Sequence, residues 1–419
     1  MIPHRALRHT ETASVVRAWT FAALVLAAVA QTSAAYAQGT ARSMDIDASV
    51  RSSGMGGASD AVFWGGDPNF WANPALLGYH EGLRYLWSRT KLVPGLADDV
   101  IFTTHRGTAG WGGIGLAAGV IRLNYGQSVA VDPSGNPTGT FESHETIAVQ
   151  ALGVSASRLV TAVAGVRGAP RVLDYADVAV GWARKDVDVV LAPIDGGASG
   201  VTHDWGMLVR ISPMPQGLAS QTAGVFLDLA YAHAVLNYDD TRFLFANSAP
   251  APATRSHRNG FAARSGFLRV PGQEPGSWVA RGFEPLAVVG FALDQEHNAG
   301  GDLDPGYDVE RWGVEATLFN VTTLRIGHVT DRSGDIDGGT FGFGFGLPFG
   351  DFAGVRYDYA TIPQATSSDL PDVRRHAVTA WIDPIRMAAA LSHRPAWAST
   401  SAPAAAGSRS GSPGAALRP

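Results

Sequence analysis

The chain has 419 residues, a formal net charge of −5 and no cysteine. Its basic residues are scattered, which excludes the concentrated positive footprint that nucleic acid requires of a partner. The missing thiols exclude disulfides, thiol catalysis and cysteine-based zinc sites.

Hydrophobic residues make up 46% and charged residues only 16%, against ~25% charged in an average soluble domain. Residues 1–37 read as a secretory signal peptide. Arg5, Arg8 and Arg17 precede an apolar run from Ala18 to Ala30, too short to span a bilayer as a helix. Ala35-Tyr36-Ala37 fits the small-x-small pattern of signal peptidase, so Sec-type export and cleavage before Gln38 are expected. An uncleaved anchor is the alternative. After Ala30 no stretch reaches the ~20 apolar residues of a spanning helix.

Residues 38–81 carry two small-residue motifs, Gly54-Met55-Gly56-Gly57-Ala58 and Asn73-Pro74-Ala75. Glycines permit close backbone approach, and Asn before Pro favours a turn. From residue 82 to 383 the chain is a succession of short segments with period two, the strand signal. Leu83, Tyr85 and Trp87 share one face. Phe341, Phe343 and Phe345 alternate with Gly342, Gly344 and Gly346, and Tyr357 and Tyr359 with Arg356 and Asp358. About twelve to fourteen strands fit this region, within the range of outer-membrane barrels. Tyr85, Trp87, Trp205, Tyr231, Tyr357, Tyr359 and Trp381 suit interfacial aromatic girdles. Tight links such as 333–335 and 348–351 contrast with a long polar connection from Asn237 to about Arg281, as in barrels with short turns on one side and long loops on the other. Residues 384–419 are rich in Ala, Ser, Pro and Gly, a low-complexity tail with no expected packed structure. An apolar, glycine-rich, charge-poor β chain is either a lipid-facing barrel or a buried sandwich, and alternation alone does not decide.

Chemical motifs are sparse. Asp302, Asp304 and Asp308, and Asp335 with Asp337, lie in Gly-rich loops that either bind Ca²⁺ or serve as turns. Neither has the EF-hand spacing, so no metal and no cofactor is assigned. His203-Asp204, Glu142 with His144 and Glu145, and Glu296-His297 stand apart in sequence and read as solvated loop residues. No nucleophile elbow or zinc helix is present, so no catalytic residue is assigned and the chain is not expected to be an enzyme. Arg84, Arg122, Asp228, Glu315, Arg325, Arg356 and Asp358 fall inside strand patterns. An Arg on a lipid face costs roughly 2–4 kcal/mol at the midplane. In a barrel these charges should therefore face the lumen, paired with one another and with any internal segment.

Two stretches together resemble a known family. Residues 51–78 are similar to the N-terminal signature of FadL-like outer-membrane proteins and of the related PorV/PorQ family. Residues 311–316, 324–328 and 353–363 are similar to the closing strands of PorV-like proteins. The spacer departs from the family: Trp64-Gly-Gly-Asp67-Pro68-Asn69-Phe70-Trp71 stands where acidic and then small residues are usual. So does the tail that follows the last strand. The resemblance implies a transmembrane antiparallel barrel of about fourteen strands, with residues 38–81 as a hatch in the lumen. It places Gly54, Met55, Gly56, Gly57, Ala58, Asn73, Pro74 and Ala75 in that hatch. It implies a non-catalytic role in the outer membrane. A PorV-like barrel would serve type IX-like secretion, with secretion-system components or secreted cargo as partners, or form an occluded channel. A FadL-like barrel would pass small hydrophobic molecules. A soluble periplasmic or secreted β-rich protein is the alternative from another class.

Overall fold

The computed structural model describes residues 41–132, 134–164, 172–192, 196–215, 224–245, 250–268, 286–299, 307–332, 334–350 and 352–392. The expected signal peptide, Asp302, Asp304 and the chain after Ser392 lie outside the described residues.

Fourteen strands form one closed antiparallel barrel. They are β1 (Gly82–Val93), β2 (Ala97–Trp111), β3 (Ile114–Val131), β4 (Pro137–Ser155), β5 (Ala176–Ala192), β6 (Gly196–Met214) and β7 (Val225–Leu236). There follow β8 (Arg255–Phe267), β9 (Ala287–Ala299), β10 (Tyr307–Leu318), β11 (Thr322–Asp331), β12 (Ile336–Phe349), β13 (Ala353–Ile362) and β14 (Val373–Ile382). Each pairs with its neighbours in sequence, and β1 closes on β14, with Leu83 opposite Ile382. Closure leaves no unpaired edge.

The period of two sorts side chains onto two unlike faces. The outer face is apolar: Leu116, Val180, Val289, Ile326 and Leu347 are each 51–55% exposed on five different strands. The inner face carries small and charged groups, among them Ala179, Ala232, Ala262, Ala292, Arg325 and Asp358, all buried. A sandwich would direct its large apolar residues inward. This barrel turns them out, because its interior is filled by residues 41–81.

The structure revises several sequence expectations. Trp381 lies on the inner face beneath Arg84, whose guanidinium sits 5.9 Å from the ring centroid, so it belongs to no outer girdle. The long polar connection after Asn237 contains β8. That strand was hidden because its inward residues Ser256, Arg258, Gly260, Ala262, Arg264 and Gly266 are polar or small. Tight and long connections occur at both rims. The strand ends joined by the short β11–β12 and the long β7–β8 connections lie at the rim where β1 ends, and those joined by the short β10–β11 and the long β4–β5 connections lie at the opposite one. The expected tail begins as an α-helix, Pro384–Ser392. Asp383 caps it by accepting from the amides of Ile385 and Arg386, Pro384 opens it, and the run Met387-Ala-Ala-Ala has high helix propensity.

Candidate functional site: the occupied lumen

Residues 41–81 thread the barrel with almost no regular structure: a turn of α-helix at Val50–Ser53 and 3-10 turns at Arg42–Met44 and Pro74–Tyr79. Such a segment cannot bury its backbone against itself. The barrel wall therefore supplies the missing partners, in two ways.

The first is space. Gly82, Gly110, Gly115, Gly153, Gly181 and Gly206 stand opposite one another in an unbroken row across β1 to β6. All face inward. The 73–80 turn crosses this row at contact distance. A Cβ at Gly181 would lie 2.2 Å from the Pro74 carbonyl carbon, at Gly115 2.1 Å from the Leu77 oxygen, and at Gly110 2.3 Å from the His80 oxygen. A second pair, Gly313 opposite Gly327, receives Met55 and Gly56, with a Cβ at Gly327 only 2.3 Å from the Gly56 nitrogen. Gly56 and Gly57 adopt φ of 69° and 85°, a turn that suits glycine. It leaves the Gly56 amide free to donate to Thr340 Oγ1 at 2.8 Å. Gly54 and Gly342 meet face to face, with a Cβ on Gly54 3.0 Å from the Gly342 Cα. Ala58 is fully buried.

The second is charge. Arg356 donates to Asp358 at 3.0 Å, Arg325 to Asp358 at 2.8 Å and Arg325 to Glu315 at 2.7 Å. Glu315 then receives Arg51 through both oxygens, at 2.7 and 2.8 Å, and the Trp64 indole at 3.2 Å. Four of the seven charges picked out in sequence thus form one chain that ends on the internal segment. Asp228 faces inward as well. It holds Arg264 at 2.8 Å and Ser212, and Arg264 lies 4.8 Å from the ring centroid of Phe63. Arg84 faces inward between Trp381 and Gly66. Arg122 does not. It sits on the outer face beside Glu142 at 3.4 Å, both about half exposed. Its neighbours Ile121 and Leu123 take the inner face, so the alternation of β3 turns Arg122 outward against Glu142.

Sequence reading missed Asp294, Arg258, Arg311, Lys185, Arg375 and Arg106 in the wall. Asp294 accepts from the amides of Ser59 and Asp60 at 2.5 and 2.8 Å. Arg258 and Arg311 both reach Glu296, at 3.1 and 2.6 Å. Lys185 pairs with Asp204 at 2.8 Å and lies 4.4 Å from the Trp71 ring centroid, fully buried. Arg375 donates to Ser53 Oγ and the Asp47 carbonyl, and Arg106 to Asp67. Asn73 caps the Pro74 turn by accepting from Ala75 and donates to the Asp60 and Met207 carbonyls. The dipeptides read as solvated loops are strand residues instead. Asp204, Glu145 and Glu296 are buried, while their partners His203, His144 and His297 face out, because consecutive strand residues point to opposite faces. Among the described residues no three His, Cys, Asp or Glu side chains are placed to hold a metal.

Asp60 makes a titratable lock. Its Oδ2 has no hydrogen-bond partner among the described residues. Burial, and then the neighbouring Asp294 charge, raise its pKa well above the usual carboxylate range. A raised folded-state pKa contributes stability that is complete at low pH and is lost as pH rises through it. His80 works the other way. Burial and Arg84 lower it to about 4, so its contribution is lost as pH falls below the ordinary imidazole range. D60N is therefore expected to melt above wild type at pH 8 and to lose that advantage near pH 4. Parallel melting curves across that range would refute the assignment.

The fold and lumen define a class: a closed fourteen-stranded antiparallel barrel filled by its own N-terminal segment. No protein-family model and no curated protein matches the chain. Among solved structures it is similar to the toluene transporter TodX of Pseudomonas putida, at 11% identity over 84% of this chain and 98% of that one, TM-score 0.37. It is also similar to a FadL homologue of Pseudomonas aeruginosa, at 10% identity over 84% and 100%, TM-score 0.37. A third is the Ralstonia pickettii toluene transporter TbuX, at 12% over 79% and 96%, TM-score 0.35. At such identities no residue-by-residue correspondence carries over.

Proposed function

We propose that this chain is an exported, non-catalytic outer-membrane β-barrel. Residues 41–81 act as a hatch, and its displacement opens a path for small hydrophobic molecules. The observation that carries the reading is the inversion of the faces, apolar outside and charged within. An exposed Leu or Val forgoes ~1.5–3 kcal/mol of burial, and a ring of them around a barrel fits lipid rather than water. The solute class is supported by the inward cluster of Phe63, Trp64, Tyr79 and Phe226 near the rim where β1 begins. Resemblance of the closing strands supports a second reading, a PorV-like partner in type IX-like secretion.

Heat-modifiable migration of the protein in an outer-membrane fraction is the first test. Recovery of the mature chain in the soluble periplasm overturns the proposal. Deletion of residues 41–80 is then expected to turn a silent barrel into a conducting one in planar bilayers, and to speed entry of an aromatic hydrocarbon into vesicles. A deletion barrel that conducts ions but admits the hydrocarbon no faster than wild type favours the secretion reading.

A further inference from the structure

Charge is unevenly spread around one edge of the outer apolar belt. Across β14, β1, β2 and β3 the register sets His376 opposite Arg89, Arg89 opposite Thr103, and Thr103 opposite Arg122. Lys91 and Arg374 lie two residues nearer the same rim, on β1 and β14, and all of these basic side chains point outward. Arg89 and Arg374 are exposed and make no salt bridge among the described residues. Lys91 meets Asp98 at 3.5 Å and Arg122 meets Glu142 at 3.4 Å, both exposed pairs of little strength. Elsewhere around this edge the outward basic side chains lie against carboxylates. Arg184 pairs with Asp186 at 2.7 Å, His297 with Asp308 at 2.7 Å and His328 with Asp337 at 2.8 Å. Arg89 and Arg374, on adjacent strands of this basic patch, thus carry positive charge that no ion pair among the described residues meets.

We propose that this patch binds the phosphate-bearing headgroup of an anionic membrane lipid. The inference rests on the outer-membrane reading above. Two arguments commit it to lipid. The patch is continuous with the apolar belt: Trp87 and Val378, two residues below Arg89 and His376 on the same face, are 41% and 39% exposed and offer a wall for acyl chains. Tyr357 and Tyr359 flank His376, with the Tyr357 hydroxyl 2.6 Å from its Nδ1, at the depth where amphipathic rings meet headgroups. Two guanidinium forks on neighbouring strands suit a phosphate's oxygens.

The full mature protein is reconstituted into phosphatidylcholine vesicles with and without phosphatidylglycerol, and lipid retained after extraction is counted by native mass spectrometry. Wild type is expected to retain phosphatidylglycerol selectively. Arg89→Gln with Arg374→Gln is expected to lose that selectivity roughly tenfold, the scale of one charged hydrogen bond. Arg184→Gln, on the same edge but already paired with Asp186, should keep it. Heat-modifiable migration checks that each variant folds. Equal retention by wild type and the double variant overturns the site. Displacement of the lipid by an equal concentration of inorganic phosphate overturns the lipid assignment. A protein that inserts without preference overturns this inference alone, and one that fails to insert overturns the membrane reading with it.

Discussion

Glu315→Ala is expected to unseat the N-terminal segment while leaving the barrel closed. Glu315 is the hub where the wall network meets the segment. It is buried, and it receives Arg51 from one side and Arg325 from the other. Removing it strands two buried guanidiniums, and breaking a buried ion pair in this way costs about 3–5 kcal/mol. Arg325 keeps Asp358 as a partner at 2.8 Å. Arg51 keeps only the Trp64 carbonyl at 2.7 Å, so the loss falls mostly on the segment. Limited proteolysis reads this directly: residues 41–80 should be cut rapidly in E315A and slowly in wild type, with heat-modifiable migration unchanged. Arg51→Ala should be milder, because Glu315 retains Arg325. The double variant R51A/E315A should lose less than the sum of the two, since the partners share one interaction. Equal protease protection of the segment in E315A and wild type would show that the network is incidental to seating.

Gly181→Ala should block seating by shape rather than by charge. Its new methyl would stand 2.2 Å from the Pro74 carbonyl carbon and 2.3 Å from the Ala75 nitrogen. Both are backbone atoms of a turn already fixed by the Asn73 cap, so no flexible side chain can swing away. The strand itself should gain, because glycine in a strand interior is unfavourable relative to a residue with a side chain. A barrel at least as stable, with an exposed segment and raised conductance, is the expected phenotype. Gly327→Ala should act alike through Met55 and Gly56. Gly107→Ala, on the outer face of β2 with nothing closer than 3.9 Å to the added carbon, should leave the segment seated and serves as the control. A G181A protein as silent as wild type in planar bilayers would refute close backbone contact as the seal.

Alternation in segments such as 83–87 and 341–347 made strands legible, and the small residues of 54–58 and 73–75 marked a crowded backbone. The glycine row was partly legible too. Gly153, Gly181 and Gly206 interrupt strand patterns, which signals close approach of another chain segment. What hid the row was register. Gly110 and Gly115 sit either side of a turn and Gly153 lies far along the chain, and only the pairing of strands makes them neighbours. Asp294 and Lys185 escaped notice, and Glu296 was read as a solvated loop residue, because a lone charge in a strand carries no sign of its partner. Arg122 shows the converse. Its strand was recognised, but the inward face was misread, because charge alone does not set the parity of a strand and here the apolar Ile121 and Leu123 take the inner face.

The sequence by itself therefore determined the local periods, the strand-rich class and the small-residue motifs, since these depend on neighbours a few residues apart. The tertiary structure alone decided which face is inside, which charges meet, and that glycines from five strands cradle one turn. Those facts depend on closure of the barrel and on its register, and a one-residue slip of any strand would exchange its inner and outer faces.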